Sequence, residues 1–198
     1  CNGHGTHVAG TIGSNTYGIA TNVNLVAVKV FGCSGGSPFS TIIAAVEWST
    51  TNCLASGKRC IINMSLGGGM SIALNAAVAA SVSAGVHNIV AAGNENSDSC
   101  TKSPASAPNA ITVASITDSD TRSVFSNWGI CVDIFAPGSG ITSWNHLGSP
   151  WTISGTSMAA PHVAGVAARF LGETDLTPAE MATKLSTLAS IGKVSDPR

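Results

Sequence analysis

Runs of apolar, often β-branched residues alternate with alanine-rich stretches along the chain. The segments "NVNLVAVKVF" (22–31), "CIINMSLGGG" (60–69), "VHNIVAAGN" (86–94), "AITVASI" (110–116) and "CVDIFAP" (131–137) read as strands. Most are apolar at successive positions, the pattern of strands covered on both faces. Between them, "STIIAAVEWSTTNCLASG" (40–57) reads as a helix with Ser40 as N-cap and Gly57 as its stop. "SIALNAAVAASVSAG" (71–85) reads as a second helix ending in glycine, and "HVAGTI" (7–12) as a short packed one. Val163, Ala164, Val166, Ala167 and Leu171 mark a further helix that starts near Ser157. Strand–helix alternation of this kind predicts an α/β domain with a mostly parallel central sheet and helices on both faces. Ligands of such sheets bind beyond the carboxyl ends of the strands, where Ser65–Gly69 and Gly93–Asn94 fall.

The 198 residues suffice for one domain with a sizeable core, and neither repeat nor linker divides them. Nine Lys and Arg stand against ten Asp and Glu. Without a basic patch, nucleic acid and acidic membrane surfaces are excluded as partners. No apolar run reaches the length of a membrane span. Six cysteines fall at 1, 33, 53, 60, 100 and 131. An even number suits the disulfides of a secreted protein, although counting leaves their connectivity open. Zinc is the competing reading, but no CxxC pair occurs and the histidines are not clustered beside the cysteines. The chain opens on Cys1 without an initiator methionine, which points to an upstream segment.

Two stretches carry chemistry. In "SGTSMAAPHVAG" (154–165), Ser157 sits among small residues at the predicted start of a helix, where free N–H groups favour negative charge. Pro161 fits a helix only in its first turn or at a kink, and is expected just inside the helix. Ser157 is therefore either a nucleophile beside a forming oxyanion or a helix cap. In "NGHGTHVAGTIG" (2–13), glycines flank His4, which suits close approach of another segment to a general base. His4 and His7 share one helical face, but the zincin spacing and its glutamate are absent.

The motifs "GHGTHVAGT", "SLGGG", "AAGNEN" and "GTSMAAPHVAG" occur in that order and together resemble the subtilisin-like serine proteases, or subtilases. The likeness covers nearly the whole chain and is strongest to the proteinase K branch and its aqualysin-type secreted bacterial members. Ala159 stands where the GxSxG elbow of α/β-hydrolases requires glycine. The resemblance implies a subtilisin-like three-layer α/β fold, with residues 1–198 as part of a catalytic domain. Ser157 would be the nucleophile, His4 the general base, and Asn94 an oxyanion donor beside the Ser157 N–H. His7 and His162 would be structural. Peptide or protein substrates would add as a strand between Ser65, Leu66 and Gly67 on one side and Gly35, Gly36 and Ser37 on the other. Ala92, Gly93 and Lys102 would line the pocket beside the cut bond. Lys102 departs from the aromatic residue usual in relatives, so it either points to solvent or biases the pocket towards polar or acidic side chains.

The resemblance further implies pairs Cys1–Cys33 and Cys100–Cys131, leaving Cys53 and Cys60 as a third, local disulfide or as two thiols. It implies a structural calcium ion held by the carbonyls of Pro108 and Ala110 and by Asp133, hard oxygen donors of the kind calcium takes. An arginine or lysine partner for Asp133 is the alternative. Secretion, an N-terminal inhibitory propeptide and a monomeric enzyme follow from the same likeness. In subtilases the triad aspartate precedes the histidine. Only three residues precede His4, and Asp98, Asp118, Asp120 and Asp133 all follow it. The chain thus reads as an internal part of a protease, without the aspartate segment or the C-terminal end and inactive without the missing aspartate; absence of the strand that carries it would leave buried edges unpaired. A non-catalytic binding or inhibitory module is the second function class, and a hydrolase of esters or lipids, which has no large apolar lid here, is the third.

Overall fold

The computed structural model describes residues 2–33 and 35–198. In chain order its elements are α1 (His4–Gly13), α2 (Phe39–Ser56), β1 (Ile61–Met64), β2 (Gly68–Gly69), α3 (Ile72–Ser83), β3 (His87–Ala91), β4 (Lys102–Ser103), β5 (Ile111–Ile116), β6 (Ile134–Pro137), β7 (Ile141–Trp144), β8 (Pro150–Ile153), α4 (Thr156–Glu173) and α5 (Pro178–Leu188). The central sheet has the order β1-β3-β5-β6 and every pairing in it is parallel. Strands β2 with β4 and β7 with β8 form two small antiparallel pairs.

Successive apolar residues in the central strands serve opposite faces, so each face acquires its own core. Ile89, Ala91, Ile111 and Val113 pack with Ala160, Val163, Ala164 and Ala167 of α4 and with Met181 and Leu185 of α5. Val90 and Met64 point the other way, onto Ile42 and Val46 of α2 and Leu74 and Val78 of α3. The result is an α/β sandwich with a parallel sheet between two helical layers. Helix α2 stops at Gly57, whose φ of 63° is the left-handed geometry glycine adopts without strain. Ser71 caps α3 by accepting the Leu74 N–H at 3.2 Å.

Residues 22–31, expected as a strand, join no sheet among the described residues. They are largely exposed, with Leu25, Val26 and Val28 at 48%, 74% and 39% exposure. A parallel strand is stabilised by a hydrogen-bonded neighbour, and no described strand pairs with this segment. Helix α2 begins at Phe39 with Pro38 in the cap position, so Ser40 is inside the helix and not its cap. Pro161 lies in the interior of α4, six residues in and past the first turn. Disulfides join Cys53 to Cys60 and Cys100 to Cys131, with Cα separations of 6.0 and 5.3 Å. The Cys1–Cys33 pairing falls on Cys1, outside the described residues.

Candidate active site

Helices α1 and α4 pack against each other, and their amino ends carry His4 and Ser157. Gly3, with φ 83°, makes the left-handed turn that starts α1. Asn2 Oδ1 accepts the His4 backbone N–H at 3.1 Å. Burial, and then the charge of His7, hold the His4 imidazole below its ordinary value. It is therefore biased towards the neutral form that a base requires. One turn on, His7 is fully buried, and its Nε2 lies 3.0 Å from the carbonyls of both Ile141 and Trp151. Two carbonyl neighbours require the proton on Nε2, so His7 pins α1 to the β7–β8 hairpin. His162 is likewise engaged in α4, its Nδ1 2.8 Å from the Met158 carbonyl one turn back.

Ser157 is the second residue of α4, and Gly155 occupies the cap position, so the capping reading of Ser157 is set aside. Its Oγ donates to the Ser65 carbonyl at 3.3 Å, and the Ser65 Oγ donates to the Ser157 carbonyl at 2.7 Å. Pro161 explains the second bond. It stands four residues after Ser157, where an ordinary residue would donate its N–H to the Ser157 carbonyl. The proline has none, and the hydroxyl at the end of β1 takes that carbonyl instead. Among the described residues no hydrogen bond joins Ser157 Oγ to the His4 ring; the fold brings the two helices together without closing that bond.

Asn94 follows β3, and its Oδ1 accepts both the backbone N–H of Thr156 at 2.8 Å and the Thr156 hydroxyl at 2.9 Å. Two donors fix the amide's orientation and leave Nδ2 directed away. The Thr156 Oγ1 in turn accepts the Gly93 N–H at 3.1 Å, and the residue is fully buried. The point where a Cβ on Gly155 would stand lies 3.7 Å from Asn94 Nδ2 and 3.7 Å from Ser157 N. Both donors therefore flank one space, which glycine leaves open. As an early residue of α4, Ser157 has no intrahelical acceptor for its N–H.

Leu66, Gly67, Ala92, Gly93, Asn94, Lys102 and Ser157 line a single cleft, together with Glu95 and Thr156. Gly35, Gly36 and Ser37 do not line it; both glycines have positive φ and nothing within 4 Å of a Cβ, as in an open loop. They are tethered nearby through Phe39, whose ring stands 3.1 Å from the Cβ position of Gly68. Pro108, Ala110 and Asp133 lie elsewhere, by the amino ends of β5 and β6. There Asp133 Oδ2 accepts the Thr112 N–H at 2.7 Å. Desolvation pushes the Asp133 carboxyl up, and the Thr112 bond opposes this. Among the described residues no lysine or arginine pairs with it. Among the described residues no three His, Cys, Asp or Glu side chains cluster, so Asp133 would hold a cation only with carbonyl and water oxygens.

Thr156, Glu95 and Asn127 were not legible as site residues. Their contacts link positions 32 to 63 residues apart, and no local spacing announces them.

The family model of the subtilases, described as Peptidase_S8, matches residues 1–196, and the chain belongs to that family. It is 55% identical over 199 residues to an alkaline serine exoprotease A of Vibrio alginolyticus, covering 100% of this chain and 37% of that protein. It is 52% identical over 188 residues to an extracellular serine proteinase of Thermus sp. (strain Rt41A), covering 93% of this chain and 45% of the relative. The solved structure of a cold adapted subtilisin-like serine proteinase matches with a TM-score of 0.97 at 54% identity, over 100% of this chain and 72% of that one. The chain thus spans less than half the length of these two curated relatives.

Proposed function

We propose that the protein is a secreted serine endopeptidase that cuts peptide bonds through an acyl-enzyme on Ser157. The observation that carries this reading is the pair of donors, Asn94 Nδ2 and Ser157 N, flanking the one space that Gly155 leaves open. On binding a peptide carbonyl, Ser157 Oγ exchanges its bond to the Ser65 carbonyl for one to the neutral His4 imidazole. His4 takes the proton as Oγ attacks, the oxyanion settles between the two donors, and His4 then protonates the departing amine. Water reverses the sequence and frees the acid. The reaction requires a carboxylate to orient the His4 ring. None faces it among the groups that shift its protonation, and we assign that aspartate to the part of the protein outside these residues. These residues alone would then lack full activity.

Peptide substrates would lie along Ser65–Gly67 and the loop at Gly35–Ser37, whose glycines admit a close backbone. The two disulfides, and the name of the extracellular relative from Thermus, support export. Within the described residues no helix is long and apolar enough to cross a membrane. A propeptide on the precursor and a monomeric mature enzyme complete the reading. A calcium ion would sit on Asp133 with the carbonyls of Pro108 and Ala110, where it would relieve the desolvated carboxylate.

The test treats the natural full-length protein with a sulfonyl fluoride and maps the adduct by mass spectrometry. One adduct, on Ser157, together with loss of peptide hydrolysis is expected. A protein that gains no adduct and cleaves nothing would overturn the reading in favour of a binding module. Thermal melting of the same inhibited sample with and without a chelator reports on calcium, and an unchanged Tm would remove the ion from the proposal.

A further inference from the structure

Residues 54–59 run from the last turn of α2 towards β1, and each of them is exposed. Leu54, inside that last turn, is 55% exposed, so little packing holds the helix end down. The segment folds on itself: Ser56 Oγ donates to the Cys53 carbonyl at 2.7 Å and accepts the Lys58 N–H at 3.1 Å. Lys58 and Arg59 are the only two basic residues adjacent in the chain, and neither forms an ion pair among the described residues. Exposed basic residues beside a helix end that can fray are what a peptidase that cuts after lysine or arginine attacks.

One covalent bond opposes that attack. Cys53 and Cys60 bracket the exposed residues, with their Cα atoms 6.0 Å apart. A peptidase takes its substrate as an extended strand, in which a separation of seven residues spans about 23 Å. A disulfide keeps its Cα atoms within about 7 Å, so the closed ring cannot enter a cleft as a strand however far the helix end frays. We propose that the Cys53–Cys60 disulfide guards a proteolytic site at Lys58–Arg59, and that opening the bond gives peptidases that cut after basic residues access to it. A dithiol opens the bond: it is oxidised to its own disulfide, and its two protons pass to the sulfurs of Cys53 and Cys60. Water then adds across the Lys58 or Arg59 peptide bond, its hydroxyl to the carbonyl carbon and its proton to the leaving amine. The cut falls between His4 and Ser157 in the chain, whether or not Ser157 is a nucleophile.

The test exposes the full-length protein, treated with a sulfonyl fluoride and freed of excess reagent, to trypsin and maps the cuts over time by mass spectrometry. The oxidised wild-type protein should resist at Lys58 and Arg59. Cys53→Ser/Cys60→Ser should be cut there about fiftyfold faster, the loop-entropy factor for a closure of seven residues. Arg122, 4% exposed, should stay uncut in both and so report that the fold is intact. If the variant does not fold, the wild-type protein in rising dithiothreitol gives the same readout, with iodoacetamide marking the open cysteines. Molecules cut at Lys58 or Arg59 should then carry the mark on Cys53 and Cys60. Equal rates at this site in the oxidised protein and the variant, cuts in molecules whose Cys53–Cys60 bond is closed, or cleavage at Arg122 at the same rate would each overturn the inference.

Discussion

At the scale of single residues, Thr156 is the connection on which the site depends. Its hydroxyl donates to Asn94 Oδ1 and accepts from the Gly93 N–H, while its own N–H reaches the same Asn94 oxygen. Thr156→Val keeps the shape and the backbone bond but removes both hydroxyl bonds, so Asn94 is left with one restraint. As the oxyanion donor proposed above, Asn94 would then lose preorganisation without leaving the site. We expect kcat to fall by about tenfold with little change in KM, as befits an interaction strongest in the transition state. Asn94→Ala, which removes the donor itself, should cost more, roughly a hundred- to a thousandfold, the size of effect known for such a donor in subtilisin, a relative in this family. Steady-state kinetics on one nitroanilide decides the order. A Thr156→Val enzyme that loses KM instead would show that the threonine acts on substrate binding.

At the scale of elements, Pro161 and Ser65 form one device. A proline in a helix interior costs about 3 kcal/mol relative to alanine when the carbonyl it strands finds no partner. Here Ser65 supplies the partner, and so ties the end of β1 to the start of α4. Ser65→Ala should therefore destabilise the protein by about 1–3 kcal/mol where Pro161 is retained, since it orphans the Ser157 carbonyl. With Pro161→Ala already in place, the new N–H can reach that carbonyl and the same change should cost less. Urea unfolding of the full-length protein, in a His4→Ala background to prevent autolysis, measures this double-mutant cycle. Additive costs would sever the link between the two residues. The motif announced a helix at Ser157 but not this exchange, because the acceptor's new donor lies 92 residues away. Legibility elsewhere follows the same division. The central strands were readable because both of their faces are covered and their apolar runs are continuous, as in β3, where all five residues are buried. The segment 22–31 carries the same signal without a neighbour to pair with, so composition alone overstated it. The β7–β8 hairpin escaped because its strands have four residues each and one begins at Pro150. Helix α5 could have been found: "TPAE" is a capping box with proline at the first helical position, and Thr177 and Glu180 do make both of its bonds.

At the scale of the whole molecule, histidine burial sets the response to acid. His87, at the start of β3, is 3% exposed, and its Nδ1 has no hydrogen-bond partner. Burial lowers its affinity for protons below the ordinary 6.5, against weaker opposing effects of the Leu176 backbone and Asp175. Burial likewise holds His162 below 6.5, opposed by its bond to Met158 and reinforced by His7. In the unfolded chain both rings take up a proton as the pH falls through 6.5, while the folded ones resist it. The unfolded state then binds more protons, and its advantage grows with a slope of about 1.4 kcal/mol per pH unit for each proton of difference. The stability contributed by the neutral rings is thus complete above pH 6.5 and is lost as the pH drops from there towards the folded values. The inhibited full-length protein should accordingly lose stability between pH 7 and pH 5, with the loss smaller in His87→Gln, whose side chain does not titrate. Urea unfolding at intervals across that range measures both slopes. Equal slopes in the two proteins would show that His87 is charged in the fold, and that β3 tolerates a cation at its buried end.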